Sequence, residues 1–167
     1  MQLSMYQASV PAFQQMLTAL SAILDRASAH AQSHGTNPAE FITARLAPDM
    51  FPLSRQVQIA TDHAKGAAAR LSGREVPKFE DTETTFDELK ARIAKVMDFV
   101  NSIEVSEIDG SEEREIIVPL RTRTLNLTGQ RYLFHFALPN FYFHVTTAYD
   151  ILRHKGVPLG KSDFMGA

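Results

Sequence analysis

The chain contains no cysteine. That excludes disulfides, thiolate metal sites, iron–sulfur clusters and cysteine nucleophiles. It also lacks an excess of positive charge, with 17 Lys and Arg against 19 Asp and Glu and a formal net charge of -2. No basic surplus exists to collect phosphates, so nucleic acid is not an expected partner. No apolar run approaches the roughly 18–20 residues that span a bilayer. The N-terminus has no basic segment leading into a long apolar run, so no signal peptide is expected. Gly-rich phosphate loops, nucleophile elbows and His-Glu-x-x-His pairs are missing as well. These absences lead to the expectation of a cytoplasmic protein with no membrane partner, and no motif names a reaction.

What is present suits one domain spanning residues 1–167. The 167 residues are 44% hydrophobic and 22% charged, close to the globular average. Apolar residues recur at helical spacing in three early segments. In the first, from Ser9 to His34, the stripe is Phe13, Leu17, Leu20, Leu24, Ala27 and Ala31, with Ser9 as a cap and Pro11 in the first turn. The second, from Asp49 to Leu71, carries Leu53, Val57, Ala60, Ala64, Ala67 and Leu71, with Pro52 in its first turn. Thr85-Phe86-Asp87-Glu88 is a capping box, and it opens a third stripe of Phe86, Leu89, Ile93, Val96, Met97, Val100 and Ile103.

The segment from Glu104 to Asn126 breaks this pattern. Arg114–Val118 and Arg121–Leu125 are β-rich around Pro119-Leu120, which predicts a short, solvent-facing hairpin or two extended arms. Tyr132–Phe136 then predicts a short apolar helix. The last helix runs from Pro139, at the first helical position, to Gly156, at the left-handed stop. The long connection before it leaves room for a crossover. Together these patterns predict an all-α four-helix bundle with a short extended insert before the last helix.

Six histidines carry most of the potential chemistry. His30 and His34 sit near a helix C-terminus and His154 in a last turn, places that favour a cation. His63 and His144 are mid-helix, on the edge of the apolar faces. Bundles place metal and cofactor sites on facing helices at this depth. Asn140 lies one turn before His144, on the same face. Asp62 points about 100° away from His63 by helical geometry. The alternative is that each histidine is simply a hydrogen-bonded residue at the core edge. Arg114, Arg121, Arg123 and Arg131 read as a solvated hairpin face or, alternatively, as an anion site. Tyr132, Phe134, Phe136, Phe141, Tyr142 and Phe143 read as core packing and as candidates for a dimer face.

Asn140-Phe141-Tyr142-Phe143-His144, then Ala148-Tyr149, Leu152-Arg153, Gly156 and Gly160-Lys161-Ser162-Asp163-Phe164, resembles a bacterial domain-of-unknown-function family. That family belongs with the DinB-like (DinB/YfiT) metalloenzymes, and the resemblance covers most of the chain. It implies an up-down-down-up four-helix bundle, often a homodimer, with a metal held by three histidines. His63 matches the second-helix histidine and His144 the second of a His-x3-His pair. The first of that pair falls on Asn140. The resemblance leaves two functions open. One is a small-molecule binding or dimeric interaction module with a degenerate metal site and no cofactor. The other is a divalent-metal-dependent enzyme of thiol-transferase or hydrolase type, holding zinc, nickel or manganese on His63, His144 and Asn140.

Overall fold

In the computed structural model, which describes residues 4–166, the predicted stripes form the core. Phe13, Leu17, Leu20, Leu24, Ala27 and Ala31 are all buried on α1 (Val10–Ser33). A one-turn α2 (Ala39–Ile42) leads to α3 (Leu53–Ser72), whose stripe from Leu53 to Leu71 is likewise buried. Then come α4 (Phe86–Asn101) and the short α5 (Val105–Ile108). Strands β1 (Glu115–Pro119) and β2 (Thr124–Thr128) precede α6 (Gly129–Tyr132), a π-helical segment (Leu133–Ala137), α7 (Leu138–His154) and α8 (Lys161–Met165). The chain is therefore mostly helical with one small sheet. Among the described residues, no helix is long and apolar enough to cross a membrane.

Local chemistry explains most of the helix ends. The Thr85 hydroxyl accepts from Glu88 N, and the Glu88 carboxylate accepts from Thr85 N at 3.0 Å, which is the predicted capping box. At the end of α7, Gly156 has φ +89°, where a side chain would be strained. There Val157 N donates to Leu152 O and Gly156 N to Arg153 O, both at 3.1 Å. This is a Schellman closure, with Val157 buried beneath it. Ser9 does not act as predicted. Its hydroxyl donates to Met5 O at 2.7 Å instead of accepting from the first turn of α1.

Two other expectations change. The hairpin is an antiparallel pair with Ile116 opposite Leu127 and Val118 opposite Leu125. It is not simply solvent-facing. Ile116 and Val118 are buried while Ile117 is 58% exposed, because successive residues of a strand point to opposite faces. The last helix, moreover, does not begin at Pro139. Helical backbone runs on from Gly129, and Leu138 N donates to Leu133 O, five residues back. Pro139 has no N–H to give, and the wider π turn directly before it accommodates that gap.

The contacts also fix the direction of each helix. Lys90 meets Asp25 and Asn101 meets Gln14, so α1 and α4 run in opposite directions. Gln56 meets His144 and Arg70 meets Tyr132, so α3 and the last helix are opposed too. Phe13 meets Phe141 near both helix starts, and Arg26 reaches Pro158 beyond the end of α7, so those two run together. Arg92 meets Asp62 midway along α4 and α3, and Arg74, just past the end of α3, meets Ser102 at the end of α4, so α3 and α4 share a direction. Two successive helices can run the same way only if the chain returns between them. Residues 73–85 do this, laying Phe79 against Lys65, Glu83 against Gln58 and Asp81 against Arg55. The crossover therefore lies here and not in the connection before the last helix.

Candidate functional site

The opposed packing of α3 and α7 brings His63 and His144 together. Their ring centroids lie 5.9 Å apart with planes 12° from parallel. Phe136 packs edge-on against His63 at 5.8 Å, and Phe143 against His144 at 5.2 Å. Phe136 belongs to the π-helical segment and also stacks on the buried Tyr132.

His144 is held in one orientation. Its Nδ1 lies 2.7 Å from Gln56 Oε1, while Gln56 Nε2 donates to Phe51 O at 3.0 Å. A backbone carbonyl only accepts, so the amide nitrogen must face Phe51 and the amide oxygen must face the histidine. His144 therefore carries its proton on Nδ1 and leaves Nε2 as a lone pair. Burial, with the Arg55 guanidinium adding to it, lowers its pKa to about 4. Burial and the neighbouring His144 bring His63 to about 4 as well, with Asp62 opposing the shift and Arg70 adding to it. Both imidazoles are neutral at pH 7.

Asn140 stands one turn before His144, and its amide nitrogen is engaged. Nδ2 donates to Phe136 O at 2.7 Å, a carbonyl at the π-to-α junction. Asp62, adjacent to His63, turns to the other flank of α3 and pairs with Arg92 and Lys65, each at 2.9 Å. A groove of about 510 Å³ on that flank, lined by Phe79, Glu83, Arg92 and Lys95, includes neither histidine.

The remaining candidates do not converge. The His30 and His34 rings lie 4.1 Å apart with planes tilted by 34°, and His34 Nδ1 bonds His30 O at the end of α1. Arg114 reaches Leu71 O at the end of α3, while Arg121, Arg123 and Arg131 are exposed. Gln56 escaped the sequence reading, although a signal existed. It stands at an apolar-stripe position, three residues after Leu53 and four before Ala60, and a polar side chain buried there needs a partner.

With this geometry established, comparison defines the class of protein. A crystal structure of a DinB family member protein from Shewanella denitrificans is 41% identical, with a TM-score of 0.89 over 97% of this chain and 92% of that one. The family model described as Domain of unknown function (DUF1993) matches residues 5–165, and the chain belongs to that family. No curated protein matches.

The DinB-like class implies a divalent ion, and the residues present do not fit one as a resident cofactor. A structural or catalytic zinc takes three or four strong protein ligands. Here two imidazoles are accompanied by an amide, the weaker donor. The amide nitrogen is held on a backbone carbonyl, only the weaker amide oxygen is left to ligate, and the nearest carboxylate is committed to Arg92 and Lys65. Among the described residues, no three His, Cys, Asp or Glu side chains gather as a ligand set.

Proposed function

We propose that this chain is a DinB-like four-helix bundle of up-down-down-up course, with α1, α3, α4 and α7 as its helices. It works as a small-molecule binding or dimeric interaction module, over a degenerate metal site of His63, His144 and Asn140. The shared direction of α3 and α4, and the long return between them, support the topology. One observation carries the function. The position where a third imidazole is expected holds Asn140, whose amide oxygen is a weaker metal ligand than an imidazole and whose nitrogen is held by Phe136 O. Phe51 and Phe143, 53% and 56% exposed, support apolar contact with a ligand or a second copy.

Elemental analysis of untagged protein tests this reading. The expected result is no stoichiometric metal, and no rise in Tm with zinc, nickel or manganese. Light scattering is expected to give twice the chain mass, reduced to one chain by Phe143→Ser.

A second reading has its own support. Both imidazoles are neutral, and His144 is oriented through its Nδ1–H as an outer-shell partner orients a metal ligand. On that reading the protein is a divalent-metal-dependent enzyme of thiol-transferase or hydrolase type using His63 and His144. Stoichiometric metal that is lost in His144→Ala would decide for it.

A further inference from the structure

The hydrogen bonds behind the site determine what its front can offer. Gln56 consumes the Nδ1–H of His144, so at pH 8, where even an unperturbed imidazole is neutral, Nε2 can only accept. Phe136 O takes one Nδ2–H of Asn140, which leaves Oδ1 and the second Nδ2–H with no protein partner among the described residues. Asn140 and His144 are one helical turn apart, so these two acceptors stand side by side, roughly 5–6 Å apart at their Cβ atoms. No hydrogen bond joins His63, across on α3, to another described residue, and its neutral ring can give or take one. The walls are the ring edges of Phe136 and Phe143.

Resting on the binding reading above, the geometry points to a ligand that supplies donors: a neutral, flat, apolar molecule ending in paired N–H groups, a primary carboxamide on an aromatic ring. Its two N–H groups satisfy Asn140 Oδ1 and His144 Nε2, and its ring contacts Phe136 and Phe143. A carboxylate of the same shape has no donor for Asn140 Oδ1 or His144 Nε2 and would set lone pair against lone pair at both, leaving it only the second Nδ2–H of Asn140 and the ring of His63. A cation would meet the positive potential of Arg55 and Arg70, which bear on the two imidazoles.

The test compares two isosteres, benzamide and benzoate, on the full chain at pH 8. Ring-nitrogen NMR of the histidines is the readout. In the free protein His144 is expected to be protonated at Nδ1, and a proton found on Nε2 instead overturns the assignment. Benzamide is expected to shift the His144 Nε2 signal saturably, with benzoate binding at least about tenfold more weakly. Asn140→Leu, its fold checked by circular dichroism, is expected to weaken benzamide about tenfold through loss of one neutral hydrogen bond. Benzoate binding as well as benzamide at His144 would overturn the donor assignment and leave the binding reading standing. Neither compound moving the histidine signals would overturn both.

Discussion

Asp62 and His63 are neighbours on α3 with opposite fates. Helical geometry turns them about 100° apart. Asp62 faces α4 and the returning segment 73–85, where Arg92 is 2% exposed and spends every donor group. Its Nε donates to Thr61 Oγ1 at 2.8 Å, Nη1 to Glu80 O and Glu83 at 3.0 Å, and Nη2 to Asp62 at 2.9 Å. His63 faces α7, where two neutral imidazoles and an amide leave acceptors free. One flank is a closed network in which each group answers another. The other is tied from behind and open in front. A buried charge must be fully paired to be tolerated, whereas a binding surface must keep something unpaired. The difference separates the part of the molecule that holds the return segment from the part where the proposed ligand would sit.

The largest effect is expected from breaking the closed flank. Arg92→Leu removes the cation shared by Asp62, Asp81 and Glu83 and leaves them only Lys65, Arg55 and Gln58. Removing one partner of a buried ion network costs about 3–5 kcal/mol. Asp62 and Asp81 are 38% and 36% exposed, so water relieves part of this, and a loss of about 3 kcal/mol in urea unfolding is expected. The ring-nitrogen signals of His63 and His144 should stay where they are below the transition. If they move, the two flanks are not independent.

The next test changes the open flank. Asn140→His supplies the third imidazole one turn before His144. Zinc affinity, measured by calorimetry on untagged protein, is expected to rise at least about 100-fold, since even outer-shell changes at metal sites are worth 10–100-fold. An unchanged affinity would mean that the Phe136 carbonyl holds the new ring as it holds the amide. The contrast between an imidazole and an amide at position 140 would then not be what sets metal binding.

A third test uses pH. His63 and His144 titrate at about 4 in the folded protein, below the roughly 6.5 of an unfolded histidine. As pH falls, the unfolded chain takes up protons first. Their contribution to stability is therefore complete above 6.5 and is lost as pH falls toward 4. Between pH 7.5 and 5 each ring accounts for roughly 2 kcal/mol of lost stability. His63→Gln is expected to halve the steepness of that decline in urea midpoints. A slope that does not change would place the pH dependence elsewhere in the chain.

How much of this was legible follows the same division. The stripes of α1, α3 and α4, the box at Thr85 and the stop at Gly156 could be read because each depends on neighbours three to seven residues away. Pairing His63 with His144 needed the fold, since 81 residues separate them and only a family resemblance set α3 against α7. The roles of Gln56 and Arg92 went unread. Both sit at apolar-stripe positions, Arg92 three residues after Leu89 and four before Val96, where a polar residue announces a buried partner without naming it. The π turn was hidden for a different reason. Pro139 suits the first position of a helix and the exit of a π turn equally, and only the backbone of Leu133–Ala137 decides between them.

The smallest expected effect gives the finest test of whether the two flanks are separable. Thr85→Ala removes the hydroxyl that accepts from Glu88 N, and such a cap is worth about 1 kcal/mol. Glu88 keeps its bonds from Thr84 N at 2.7 Å and from position 85 at 3.0 Å, so the first turn of α4 loosens without unravelling. Arg92 lies two turns further along α4, and the register of that helix aims its guanidinium at Asp62 and Glu83. Amide exchange should therefore quicken over residues 85–92 and in the return segment. The His144 Nδ1 proton, held by Gln56 on the opposite side of α3, should exchange as before. Faster exchange there would show that α3 transmits what happens at Asp62 to His63, and the open site would then be tuned by the closed one.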